Sequence, residues 1–258
     1  MINLIKNELM KIFVKKNVYV FLTVLLTLQV ATAFIIKSWL PAAERFSSYV
    51  TFTQFNFTII AMLVTIFSIS LMVKSIADEF QQGTIKQLLI RPKTRVAILL
   101  SKYFAMLITV VLFIVAALLV SMLAGGIRFG WTADDFTLAI LLKIVMYEFV
   151  PIVFYITLAL MLASIITTAI LPVTITLFIF LLQNTIVNIA TSMLKKYSDV
   201  VVFKHLSLRN SDANPLIGDG MNLLSEHFTL TASFLYVVVH LLVMLVIASG
   251  VFKKRDIL

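Results

Sequence analysis

Glu148 stands three residues before Pro151 inside an otherwise apolar run. An ionisable side chain in such a run must face protein or water, which makes it a candidate for handling substrate or ions. Gln183, Asn184 and Asn188 occur at i, i+1 and i+5 in a second apolar run, and His240 lies in a third. Together they could line a polar path for substrate headgroups. The same groups could equally serve as hydrogen bonds between helices, each contributing about 1 kcal/mol to holding a bundle together. Covalent chemistry is poorly provided for. His205, His227 and His240 are 22 and 13 residues apart, which matches no H-E-x-x-H or other ligand spacing. The chain has no cysteine, so disulfides, thiolate metal sites and a cysteine nucleophile are excluded. It has no G-x-x-x-x-G-K-S/T loop to cradle nucleotide phosphates. The expectation is a non-catalytic protein with no catalytic residue, metal site or bound cofactor of its own.

The elements that must hold these residues follow from composition. With 61% hydrophobic and 13% charged residues, the chain is far from a soluble protein, in which about a quarter of residues are charged. Six apolar runs, 18–36, 56–73, 103–124, 144–163, 170–192 and 231–252, are each long enough to cross about 30 Å of hydrocarbon as a helix. A strand barrel would need runs of about ten residues alternating in polarity, whereas these are longer and apolar all round. The expected fold is therefore all-α, a single polytopic membrane domain over residues 1–258. The fourth and fifth spans divide at Ser164–Thr168, with Pro172 opening the next helix.

Ahead of the first span, a turn of about 100° per residue gathers Ile2, Ile5, Leu9, Ile12 and Phe13 in one arc and sets Asn3, Asn7, Glu8, Lys11 and Lys15 opposite. Residues 1–16 thus read as an amphipathic helix lying at the inner membrane surface, or as a basic flank anchoring the first span. Ala31, Thr32 and Ala33 have the small-residue pattern of a cleavage site. The long, patterned segment before them and the apolar continuation through Ile36 weigh against a signal peptide. With both termini in the cytoplasm, thirteen of the 21 Lys and Arg residues fall on the inner side, as the positive-inside rule requires. The net charge of +9 then reports topology and contact with anionic lipids, not nucleic acid.

The stretch 74–102 carries a further candidate site. Ala77–Phe80, including Asp78 and Glu79, continues the second span as a helix; Gly83 breaks it, Thr84 caps a short helix through Ile90, and Pro92 stops that helix before Arg95. The result is an elbow outside the bilayer whose Ile85, Leu88 and Leu89 need a partner or the lipid surface to cover them. A solvated positive-inside loop is the plainer alternative.

The spacing of Glu79, Gly83, Thr84, Leu88, Leu89, Pro92 and Arg95 resembles the first cytoplasmic loop of ABC-2 type permeases, the membrane subunits of a group of ATP-binding-cassette exporters. The resemblance extends in layout to the N-terminal helix, the six spans, the long segment 193–230 and the basic ending at Lys253, Lys254 and Arg255. It implies that the elbow, with Asp78 and Glu79 at its hinge, docks in a cleft of a cytoplasmic ABC ATPase subunit. ATP and Mg would be bound by that partner, and the membrane core would be a homodimer or a heterodimer with a related permease. It also implies that 193–230 folds into short helices dipping back toward the membrane. Without an ATPase partner, an ion-coupled carrier using Glu148 directly, or a membrane-bound sensor or assembly factor, would fit the layout.

Overall fold

The computed structural model describes residues 1–39, 41, 46–81, 94–132, 135–218 and 228–254, without the side chains of 79–81 and 195–196. Among the described residues every regular element is helical. α1 (Ile2–Val14) ends at Lys15, whose extended backbone separates it from α2 (Lys16–Trp39). The bundle continues with α3 (Tyr49–Gln81), α4 (Arg95–Phe129), α5 (Leu138–Ile165) and α6 (Ile170–Leu194). A turn of 3-10 helix at Lys195–Val200, the short α7 (Val202–Leu206) and a second 3-10 turn at Leu208–Ser211 follow, and α8 (Leu230–Lys254) closes the order. α2, α3, α4, α5, α6 and α8 are each long and apolar enough to cross a membrane, so the protein is an all-α membrane protein with six transmembrane helices.

Local chemistry sets the helix starts. Thr94 caps α4 by accepting from the Ala97 amide at 3.3 Å, and Thr137 caps α5 by accepting from the Ile140 amide at 3.4 Å; each satisfies a donor that the first turn leaves unpaired. Pro172 sits in the first turn of α6, where its missing N–H costs nothing. α3 and α4 outrun the apolar stretches 56–73 and 103–124, with 33 and 35 residues. At 1.5 Å per residue each is about 50 Å long, well beyond the hydrocarbon thickness. The extra turns lie at both ends of each helix, and those at the end where α1 lies, here the α1 end, stay packed in the core through Ile76 and Leu99.

α3 and α5 are the most buried of the six and form the middle of the bundle. α3 packs on α4 and α5, α2 on α4, and α8 on α5, while α6 is the least enclosed. A continuous core of Leu25, Phe57, Ile60, Met106, Phe113, Tyr155 and their neighbours joins α2 to α5. Polar staples cross it. Thr32 donates to Asn56 Oδ1 at 3.0 Å, and Asn56 Nδ2 donates to Ser121 at 3.1 Å, tying α2, α3 and α4 together. Tyr103 and Thr157 share a hydrogen bond of 2.9 Å between α4 and α5. Gly125 lets α3 approach α4 closely: a Cβ there would lie 2.8 Å from Phe52 and 3.2 Å from the Tyr49 backbone.

Candidate functional site

Charged side chains gather at both ends of the bundle. At the α1 end, Ile5, Leu9, Ile12 and Phe13 press the amphipathic helix onto the core, and Glu8 is buried with them. Its Oε2 lies 2.8 Å from Lys102 Nζ on α4, and its Oε1 lies 2.7 Å from Lys11 Nζ. The side chains of Glu8 and Lys102 are only 10% and 2% exposed, so this pair is dry enough that neither charge could stand alone. Burial opposes ionisation of Glu8, but the Lys102 and Lys11 charges and hydrogen bonds outweigh it and hold the carboxyl below its ordinary range. Lys15 Nζ, just past α1, pairs with Asp78 Oδ2 on α3 at 3.2 Å. Arg95 Nη1 donates to the Lys253 carbonyl of α8 at 3.0 Å. α1 is thereby lashed to the ends of α3 and α4, the two helices that flank residues 82–93.

Asp78 and Arg95, both expected at the elbow, thus have defined roles: Asp78 receives Lys15, and Arg95 ties α4 to α8. The Glu79 side chain and Gly83, Thr84, Leu88, Leu89 and Pro92 lie outside the described residues, as does the short helix expected there. Glu8 and Lys102 were not among the expected site residues. A signal was available, since Glu8 follows Ile5 by three residues and precedes Ile12 by four, which puts it at the edge of the apolar arc and not opposite it.

At the far end, residues 195–218 fold onto α5 and α8. Asp212 is the hub: its Oδ2 lies 2.6 Å from Lys143 Nζ and accepts from Tyr147 at 2.5 Å, both on α5, while Oδ1 accepts from the Asn214 amide at 2.9 Å. Burial opposes its charge, but these donors prevail and keep the carboxyl below its ordinary range. His205 is fully buried. Its Nε2 donates to the Asp199 carbonyl at 2.7 Å, so in the neutral ring Nδ1 accepts from Ser233 of α8 at 3.0 Å. Lys204 pairs with Asp199 at 2.5 Å, and Tyr236 donates to the Val200 carbonyl at 2.8 Å.

The intramembrane polar residues are spread over several surroundings. Glu148 sits one residue beyond Tyr147, within the field of Arg209, whose Nε donates to the Ile217 carbonyl at 2.6 Å. Gln183 accepts from Tyr155 at 2.6 Å, joining α6 to α5. His240 donates to the Tyr236 carbonyl of its own helix at 2.9 Å. Asn184 and Asn188 are exposed on the outside of α6. Glu148 therefore belongs with the far-end charges, Gln183 with the core, and the two asparagines with the perimeter.

The comparisons correct one expectation. The chain matches, over residues 21–258, the family described as "Protein of unknown function (DUF2705)". It is also 31% identical to "Uncharacterized protein YhcI" of Bacillus subtilis (strain 168) over 226 residues, covering 81% of this chain and 68% of that protein. Neither match is to ABC-2 type permeases, and membership of that family is withdrawn. Its specific part rested on a short run of common loop residue types, and the remainder was a layout that unrelated six-span proteins share. By the extent of the match, from α2 to the end of the chain, the protein belongs to the DUF2705 family.

Proposed function

We propose that the chain is the membrane subunit of a transport system in the cell membrane, with both termini in the cytoplasm, and that it is moved by a nucleotide-hydrolysing protein on another chain. What supports this reading is the lashing of α1 to α3 and α4 through Glu8, Lys102, Lys15 and Asp78. α3 and α4 pack on each other, and α3 runs through the middle of the bundle, so in this scheme a partner that moves the α1 ends of α3 and α4 moves the packed core with them. Such a device turns docking of a cytoplasmic partner into a choice between two arrangements of the spans. The excess of Lys and Arg at the α1 end supports its cytoplasmic side. The chain itself performs no bond-breaking step in this scheme, and ATP and Mg belong to the partner.

The test is affinity purification of the tagged chain from its native membrane in mild detergent, with identification of bound proteins and an ATPase assay. A near-stoichiometric ATPase that is lost when Gly83 and Thr84 are replaced is the expected result. A folded chain that purifies alone and without ATPase activity overturns the reading and moves an ion-coupled carrier working through Glu148 and Arg209 to the front.

A further inference from the structure

α6 differs from the other perimeter helices. In its most apolar stretch only 11% of residues are buried, the least of the six spans. Its exposed residues include Thr174, Phe178, Leu181, Thr185, Asn188 and Ser192, which advance by alternating steps of four and three. That is a 3.5-residue repeat, the spacing of a helix seam that packs into another helix as a left-handed pair. Asn184 stands beside this seam, also exposed. Neither asparagine has a hydrogen-bond partner among the described residues. Asn184 is ten residues from Leu194, the last residue of α6, or about 15 Å along the helix, which is deep in the hydrocarbon. An amide left facing lipid there costs free energy that a partner helix would recover.

The other two outer helices provide the comparison. α8 presents Phe234, Leu235, Val239, Leu242, Val243 and Val246, a face that lipid covers without loss. The exposed Thr27 of α2 donates to its own helix at Thr23. Asn17 of α2 is exposed and unpartnered among the described residues too, but it lies in the first turn beside Lys15 and Lys16, where headgroups and water can answer it. Within the apolar stretches of the described perimeter helices, only α6 leaves exposed amides unanswered.

We infer that this face of α6 is the contact with a second copy of the chain. Copies inserted in one membrane share one orientation, so a two-fold axis normal to the bilayer sets α6 beside α6 with matching residues at matching depth. An asparagine amide is both donor and acceptor, and each amide is therefore complementary to its own counterpart. The seam contains no charge that would require an opposite charge on a different subunit. Its repeat fits a helix of the same repeat, and the amides near the outer half fix the register, as a polar residue in an apolar seam does in coiled coils. This inference does not depend on what drives the protein.

The absence of cysteine from the chain makes the test clean. Leu181→Cys, Thr185→Cys and Asn188→Cys, introduced singly, are oxidised in native membranes beside the controls Leu242→Cys and Val243→Cys on α8. The expected result is a covalent dimer of this chain from the α6 positions and monomer from α8. Monomer at all α6 positions, dimer from α8 instead, or a covalent pair with a different protein overturns the inference. Independently, Asn184→Leu and Asn188→Leu are expected to weaken self-association, read by energy transfer between two labelled populations in vesicles, about fivefold for each amide removed. Because both side chains are exposed, the thermal unfolding midpoint of the monomer is expected to stay within error of the parent. Association unchanged by both replacements also overturns the proposal.

Discussion

At the scale of single residues, Glu8 and Lys102 form the most buried ion pair among the described residues. Removing one partner strands the other in a dry site, and Glu8→Ala is expected to destabilise the fold by about 3 kcal/mol, whereas Glu8→Leu with Lys102→Met is expected to be near neutral. Thermal unfolding in detergent distinguishes the two; equal losses would show that the pair adds no more than its packing volume. Acid acts on the same groups. Glu8 and Asp212 are both held below their ordinary range when folded. Their stabilising contribution is thus complete above the unfolded carboxyl values near pH 4 and is lost as pH falls through the lower folded ones. The midpoint of unfolding is expected to be flat above about pH 5 and to fall below about pH 4, with a shallower fall in Asp212→Asn.

At the scale of elements, Gly125 sets the close approach of α3 and α4, and its neighbour Gly126 has different surroundings. Alanine in a helix gains about 1 kcal/mol over glycine, and overpacking a filled core costs about 1–3 kcal/mol. At Gly125 the obstacle is buried Phe52 and the α3 backbone, which cannot retreat, so Gly125→Ala is expected to destabilise by about 1 kcal/mol. Gly126 faces the ring of Trp131, which is 59% exposed and touches Tyr49; the ring can swing outward at the cost of that contact alone, so Gly126→Ala is expected to be nearly neutral. Gly250 meets nothing within 4 Å, and Gly250→Ala is expected to stabilise by up to about 1 kcal/mol. Unfolding midpoints measured for the three variants in one detergent check the order; a Gly125→Ala as stable as Gly250→Ala would mean that the helices separate easily.

At the scale of the whole molecule, the two tryptophans mark one boundary of the bundle. Trp39 ends α2 and Trp131 follows α4, both exposed, and indole rings favour the membrane interface. Lys37 donates to the Arg128 carbonyl at the same end. With the α1 end in the cytoplasm, a cysteine at Ser38 is expected to react with a membrane-impermeant thiol reagent in intact cells. A cysteine at Lys254 is expected to react only after permeabilisation, and the reverse pattern would invert the proposed topology.

The six spans and the amphipathic first helix were legible in the chain because apolar runs of that length, and apolar residues at helical spacing, have few other physical outcomes. The break at Ser164–Thr168 was legible too, through polar residues and a proline fit for a first turn. What the chain alone left open were pairings distant in sequence. Glu8 and Lys102 are separated by 94 residues, Tyr147 and Asp212 by 65, Tyr155 and Gln183 by 28. No local period encodes such distances, and each polar group offers the same donors and acceptors whichever helix it meets. The same limit explains why Gln183, Asn184 and Asn188, neighbours in one apolar run, divide between core and perimeter. Periodicity fixes their angular spacing, but only the packing of α6 against α5 decides which side of the helix the bundle covers. Length and polarity thus determined which segments cross the membrane, while tertiary packing decided which charges are buried together and which amides were left for another molecule.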